Sequence, residues 1–189
     1  GSIGRPMPGT EIEIRSLERP EQTVALGEKG EVCIRGPQVM PGYWQNEAAT
    51  KETFVDGWLK TGDVGFQDEE GYTFLVDRLK DVILCSGYNV YPRAIEEALY
   101  LHEQIAEVTC IGVPDQYRGQ APKAFVRLKD GVTDVTAEDL RAFLDDKISR
   151  IEMPREIEIR EELPKTMVGK LSKKELVEEE RKKREKNTA

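Results

Sequence analysis

The sequence predicts an α+β protein: a short β-rich first part, then a compact mixed α/β domain in which a small sheet is flanked by helices. Three observations predict it. The first third alternates polar and apolar residues with the period of half-buried strands. Near Asp77 the character changes, and apolar strand-like runs begin to alternate with stretches of helical spacing. The part from there onward is about 110 residues long, an ordinary size for one domain.

The elements come in order. "EIEIR" (residues 11–15) alternates as a strand does. "GEKGEVCIRG" (27–36) is a turn leading into a second alternating strand at 31–35. "MPGYW" is a Pro-Gly turn followed by aromatics. "NEAATKETF" (46–54) predicts a short helix capped by Asn46, whose side-chain oxygen can accept from a first-turn N–H. "GWLKTGDVGFQDEEGYTFLVDR" gives two strands around an acidic glycine turn at 68–71. "DVILCSG" is then an apolar strand, and "YPRAIEEALYLH" starts a helix with Pro92 in its first turn and Ile95 and Leu99 at i and i+4. "IAEVTCIGV" and "PKAFVRL" are further strands. "TAEDLRAFLDDKI" puts Leu140, Phe143, Leu144 and Ile148 on one helical face, with Thr136 and Asp139 as a capping pair. "REIEIRE" alternates again, and Ser172-Lys173-Lys174-Glu175 has the S-x-x-E form of a capping box. The expected boundaries are a β-rich part at 1–77, a connecting hinge at 78–80, the mixed domain at 81–177 and a polar tail at 178–189. The tail has no apolar residue between Glu178 and Lys186 and is expected to fray or stay disordered.

Composition narrows the function classes. With 38% hydrophobic and 34% charged residues, the chain reads as a soluble globular protein. It has no apolar run of the roughly 18 residues a membrane span needs. A net charge of −8 argues against general nucleic-acid binding. From Lys170 onward eight Lys or Arg face five Glu, a weak basis for binding DNA or an anionic membrane. Cys33, Cys85 and Cys110 cannot all pair, and Cys33 and Cys110 sit in apolar strands, so reduced buried thiols in a cytoplasmic protein are expected. The single histidine, His102, has no nearby nucleophile, which disfavours a catalytic triad or a metal site.

Four stretches could carry chemistry, and each has an ordinary alternative. Asp63 closes "LKTGD" after a strand and a glycine; a carboxylate there can accept two hydroxyl hydrogen bonds, though TGD is also common turn chemistry. "DRLKD" (77–81) is either a solvated linker or a hinge with an arginine, Arg78, free to bind a nucleotide hydroxyl or phosphate. Gly87 in "SGYNVYP" permits positive φ or close approach of a ligand, as a simple turn also would. Gly169-Lys170 ends a loop like a P-loop, but Leu171 replaces the required Ser or Thr and Pro164 stands where the first glycine belongs.

Taken together and in order, "GEVCIRGPQVMPGYW", "GWLKTGD", "DRLKDVILCSGYNVYPRAIE" and "LPKTMVGK" resemble the C-terminal series of the adenylate-forming enzymes: acyl-CoA synthetases, luciferases and the adenylation domains of peptide synthetases. The resemblance covers nearly all of the chain up to the tail, and its flavour is that of medium- to long-chain fatty acid–CoA ligases. It implies a first part that is the end of a large ATP-binding domain and a second part that is the mobile C-terminal domain. It implies two steps with ATP, Mg2+ and CoA as participants: a carboxylic acid attacks the α-phosphate to give an acyl adenylate and pyrophosphate, and the CoA thiol then displaces AMP. By resemblance Asp63 holds the ribose hydroxyls and Arg78 assists. Lys80 is the hinge, Gly87 borders the tunnel for the pantetheine arm, and Lys170 serves adenylation. No protein-bound metal is implied in this stretch.

The family's Gly/Ser/Thr-rich phosphate loop and its Thr-Glu motif are not in the sequence. "GSIGRPMPG" resembles the family's sequence just downstream of those two motifs, so a missing N-terminal ATP-binding domain is the expected partner and the chain alone is expected to be inactive. Glu152-Met153-Pro154 departs from relatives with an aromatic or basic residue before the proline. The alternative is a free-standing module that binds CoA, a nucleotide or a partner protein without turnover.

Overall fold

The computed structural model describes residues 1–188, and the chain divides into two compact units, Gly1–Lys80 and Asp81–Ala189. In the first unit, strands β1 (Ser2–Gly4), β2 (Glu11–Arg15) and β3 (Gly30–Arg35) precede helix α1 (Glu47–Thr53), and β4 (Phe54–Val55), β5 (Trp58–Gln67) and β6 (Thr73–Arg78) come after it. They form one antiparallel sheet in the order β1-β6-β5-β3-β2, with β4 on β5. Alternation explains the register: Ile14 opposes Val32, and both are buried. Asn46 caps α1 by accepting the Ala49 N–H at 3.0 Å. β1 had no expectation in the sequence; it is three residues long and is held by pairing with β6 and by the Ser2 hydroxyl donating to the Thr73 carbonyl.

The second unit holds β7 (Ile83–Cys85), β8 (Tyr88–Val90), α2 (Pro92–Tyr100), β9 (Ile105–Asp115), β10 (Gly119–Leu128), α3 (Ala137–Leu144), β11 (Glu156–Ile159) and α4 (Lys173–Thr188). β10 is central: β9 pairs with it antiparallel, β11 parallel, and the β7–β8 hairpin joins through Cys85 opposite Gly119. Period-two alternation along β10 sends its side chains to opposite faces. Ala124 and Val126 join Ile95, Leu99, Leu140, Leu144 and Ile157 in one core, formed with α2 and α3. Phe125 joins Ile111, Leu163 and Leu176 in a second cluster, with α4. The expected small sheet flanked by helices is therefore present, with helices on both faces. α3 begins with the expected capping box of Thr136 and Asp139 but ends at Leu144, four residues short of Ile148, which packs on the core from a turn.

The polar stretch from Glu178, expected to fray, is instead the body of α4. Its charges alternate at helical spacing, so Arg181 pairs with Glu178 at 2.7 Å and Glu185 at 2.8 Å, and Lys183 with Glu180 at 2.8 Å. Tertiary pairs add to this: Arg160 reaches Glu179 at 2.8 Å and Lys123 reaches Glu180 at 3.1 Å. Cys33, Cys85 and Cys110 are buried and form no disulfide with one another, and burial pushes the Cys33 thiol up to about 11.

Candidate functional site

In the first unit, Asp63 and Arg78 stand directly opposite each other across β5 and β6. Their side chains meet, with Arg78 Nε 2.8 Å from Asp63 Oδ1. Among the described residues Oδ2 and the two terminal guanidinium nitrogens keep no partner, so each group holds its neighbour in place and retains hydrogen-bonding capacity for a ligand. The backbone leading to Asp63 is fixed by side chains that the sequence pattern does not reveal. The Thr61 hydroxyl donates to the Val32 carbonyl at 2.7 Å and accepts the Asp63 N–H at 3.1 Å. Buried Glu31 accepts the Gly62 N–H at 3.1 Å, and Gly62 has φ +73°. No local pattern signals Glu31, because its partner lies 31 residues away. Lys80 is exposed, at the last residue of the first unit and within a 3-10 turn over Leu79–Asp81.

In the second unit, Gly87 is the second residue of the two-residue loop between β7 and β8. Ser86 and Gly87 have φ of 52° and 82°, the pair of positive values that a type I′ hairpin requires. The apolar run "DVILCSG" holds the expected strand as β7, and the turn at Ser86-Gly87 adds β8 to make a hairpin. Within this unit a Cβ at Gly87 would meet open space, so the glycine is demanded by backbone conformation and not by crowding.

Lys170 lies at the end of a loop closed by its own hydrogen bonds. The Thr166 N–H donates to the Lys170 carbonyl at 2.7 Å, the Gly169 N–H to the Thr166 carbonyl at 2.8 Å, and the Lys170 N–H to the Thr166 hydroxyl at 3.2 Å. Gly169 turns the chain with φ +79°, and Lys165 bridges Leu171 at the base. Lys170 is exposed, and among the described residues its ammonium has no ion-pair partner. Its neighbours differ: Lys165 pairs with Glu107 at 2.6 Å and Lys173 with Glu96 at 2.9 Å. The Lys165 hydrogen bond, with help from Arg127, holds the Glu107 carboxyl below the usual range despite the opposing effect of burial. Met153 and Pro154, within the Glu-Met-Pro stretch that sets this sequence apart, line an open cleft of about 590 Å³ with Arg118 and Arg150. Among the described residues no group of three or more His, Cys, Asp or Glu is placed to hold a metal ion. No helix is long and apolar enough to cross a membrane.

The TGD, DRLKD, SGY and LPKTMVGK stretches thus lie in that order on a β-rich unit followed by a mixed α/β unit, the arrangement of the C-terminal region of adenylate-forming enzymes. Known proteins agree with this. The model of the AMP-binding enzymes matches residues 1–44, and the model of the AMP-binding enzyme C-terminal domain matches 94–170. Lys170 is the last residue of the second match, while Asp63, Arg78, Lys80 and Gly87 fall between the two. A long-chain-fatty-acid–CoA ligase of Bacillus subtilis (strain 168) is 50% identical over 180 residues, 95% of this chain and 32% of the relative. ATP-bound MatB from Rhodopseudomonas palustris superposes with a TM-score of 0.88 at 31% identity, over 95% of this chain and 35% of that one. The o-succinylbenzoate CoA synthetase of Bacillus subtilis, in complex with the acyl-adenylate intermediate OSB-AMP, gives 0.83 at 34% identity, over 93% and 35%. The chain belongs to the AMP-binding, adenylate-forming enzymes, and it spans about a third of the length of the curated relatives it matches.

Proposed function

We propose that this chain is the C-terminal part of an AMP-forming acid–CoA ligase whose acid is a fatty acid. It acts together with an N-terminal ATP-binding portion that carries the acid pocket and the phosphate loop, and alone it does not activate an acid. The observation that carries this reading is Lys170: a hydrogen-bonded loop presents its ammonium unpaired among the described residues, while Lys165 and Lys173 are paired with Glu107 and Glu96. The substrate class is supported by relatives named long-chain-fatty-acid–CoA ligases, 43–50% identical over nearly the whole chain.

In the first half-reaction a substrate carboxylate oxygen attacks the α-phosphorus of ATP, which enters with Mg2+, and the bond to the departing pyrophosphate breaks. Asp63 accepts the ribose hydroxyls, and Arg78 fixes that carboxylate and adds donors. Lys170 meets the negative charge gathering between carboxylate and phosphate with a compact, three-donor cation. At 4 Å and an effective dielectric of 20 the attraction is about 4 kcal/mol. In the second half-reaction the CoA sulfur attacks the acyl carbon and AMP leaves. The second unit turns about Lys80 between the steps, and Gly87 lets the pantetheine arm pass.

The test uses the complete enzyme. Lys170→Ala is expected to slow pyrophosphate release on the order of 10²–10³-fold while thioester formation from supplied acyl adenylate persists; equal loss in both half-reactions would sink the assignment. Gly87→Leu is expected to do the converse, stopping thioester formation while adenylation continues. Normal thioester output from that variant would remove Gly87 from the CoA path.

A further inference from the structure

Three lysines fall within nine residues, at 165, 170 and 173, and only the middle one is unpaired among the described residues. The two carboxylates that take its neighbours belong to the body of the second unit. Glu107, on β9, binds Lys165 through Oε1 at 2.6 Å and Arg127 through Oε2 at 3.0 Å. Glu96, on α2, binds Lys173 at 2.9 Å and also accepts the Cys110 N–H at 2.8 Å. Both carboxylates are mostly shielded, with side-chain exposures of 20% and 17%, and the second bond each makes fixes its position against the sheet. The stems of the loop are set as well: Leu163 and Leu176 are buried, and the Ser172 N–H donates to the Pro164 carbonyl at 2.8 Å.

We infer that Glu107 and Glu96 are positioning residues for Lys170, forming a two-footed clamp that fixes the loop on the second unit and pairs off Lys165 and Lys173. This rests on the reading of Lys170 as the adenylation lysine. Internal hydrogen bonds give the loop its shape, and Leu163 and Leu176 seat its stems on Ile111 and Phe125 of the sheet. The two ion pairs add a fixed polar contact at each foot. Partly exposed pairs of this kind add little to stability. Their consequence lies in placement, because a misplacement of about 1 Å at a reacting centre can cost on the order of 10²-fold in rate. They also keep two further ammonium groups from contending with Lys170 for an anionic substrate.

Removing the lysines tests the clamp without stranding buried charge, since Glu107 keeps Arg127 and Glu96 keeps the Cys110 N–H. In the complete enzyme, Lys165→Met combined with Lys173→Met is expected to lower kcat for adenylation about tenfold. Thioester formation from supplied acyl adenylate should stay within about twofold of the parent, and Lys165→Arg should retain most adenylation. Placed in a Lys170→Ala background, the same pair of changes should cost nothing further, because the clamp acts only through that lysine. A further loss in that background, equal loss in both half-reactions, or unchanged adenylation in the double variant would each overturn the clamp. If Lys170→Ala itself leaves adenylation intact, the underlying reading falls and the clamp with it. If Lys170→Ala is defective and the double variant is not, the clamp alone falls.

Discussion

The junction of β10, β11 and α4 and the loop 165–171 both turn on a lysine, and they treat it in opposite ways. At the junction, Lys123 is 4% exposed and touches three carboxylates, Glu156 at 2.9 Å, Glu158 at 2.8 Å and Glu180 at 3.1 Å. Arg160 and Lys183 close the network, Arg160 through Glu158 and Glu179, Lys183 through Glu158 and Glu180. Burial would lower the pKa of Lys123, but hydrogen bonds to Glu158, Glu156 and Glu180 outweigh it and raise it. In the loop, Lys170 is exposed and unpaired among the described residues, and the partners go to its neighbours. A lysine saturated with carboxylates fastens a helix to a sheet and has nothing left to offer a ligand. A lysine deprived of them contributes little to folding and keeps its charge available to a ligand.

The largest expected effect that would break this contrast is on stability. Lys123→Met should destabilise the chain by about 3 kcal/mol in denaturant unfolding, because it takes the buried cation from three carboxylates and leaves the shielded pair Glu158 and Glu180 with only Arg160 and Lys183. A loss below about 1 kcal/mol would place the junction among ordinary surface ion pairs. The next effect is a pH dependence. Burial raises the Glu158 pKa, but hydrogen bonds from Lys123 and Arg160 prevail and hold it at about 2, below its ordinary 4.5. Its folded value is depressed, so its stabilising contribution is complete above about pH 4.5 and is lost as pH falls toward 2. Melting temperature tracked down that window should drop, and Glu158→Gln should flatten the drop; an unchanged slope would mean other carboxylates carry it. The smallest effect is an expected null: Lys170→Ala should shift unfolding free energy by no more than about 0.5 kcal/mol. A larger loss would show that the loop lysine also serves the fold.

How much was legible depended on how far apart the partners lie in the chain. Asn46 and the Thr136–Asp139 pair satisfy N–H groups within three residues, so residue type and spacing announced both helix starts. The alternation in "EIEIR" and "GEVCIR" announced β2 and β3 because a half-buried strand needs period two wherever its partner comes from. β1 and β8 are three residues each, too short for a pattern, and β8 exists because Ser86 and Gly87 both accept positive φ. α4 continues through the polar stretch because it is held along its exposed length by charge spacing and by Lys123 and Arg160, neither of which apolar content registers.

The candidate site divides in the same way. The order of motifs pointed to the family, and with it to Asp63, Arg78, Lys80, Gly87 and Lys170 as candidate site residues. Sequence also determined the two-part organisation, because periodicity and turn chemistry are properties of neighbouring residues. Only the tertiary structure decided which cations are free. Lys165 takes its carboxylate from a strand 58 residues earlier, Lys173 from a helix 77 residues earlier, and Lys123 from carboxylates at 156, 158 and 180. Pairing between charges is set by distance in space, which the linear spacing of lysines and glutamates does not contain; until the sheet and helices are assembled, Lys123 and Lys170 are the same residue.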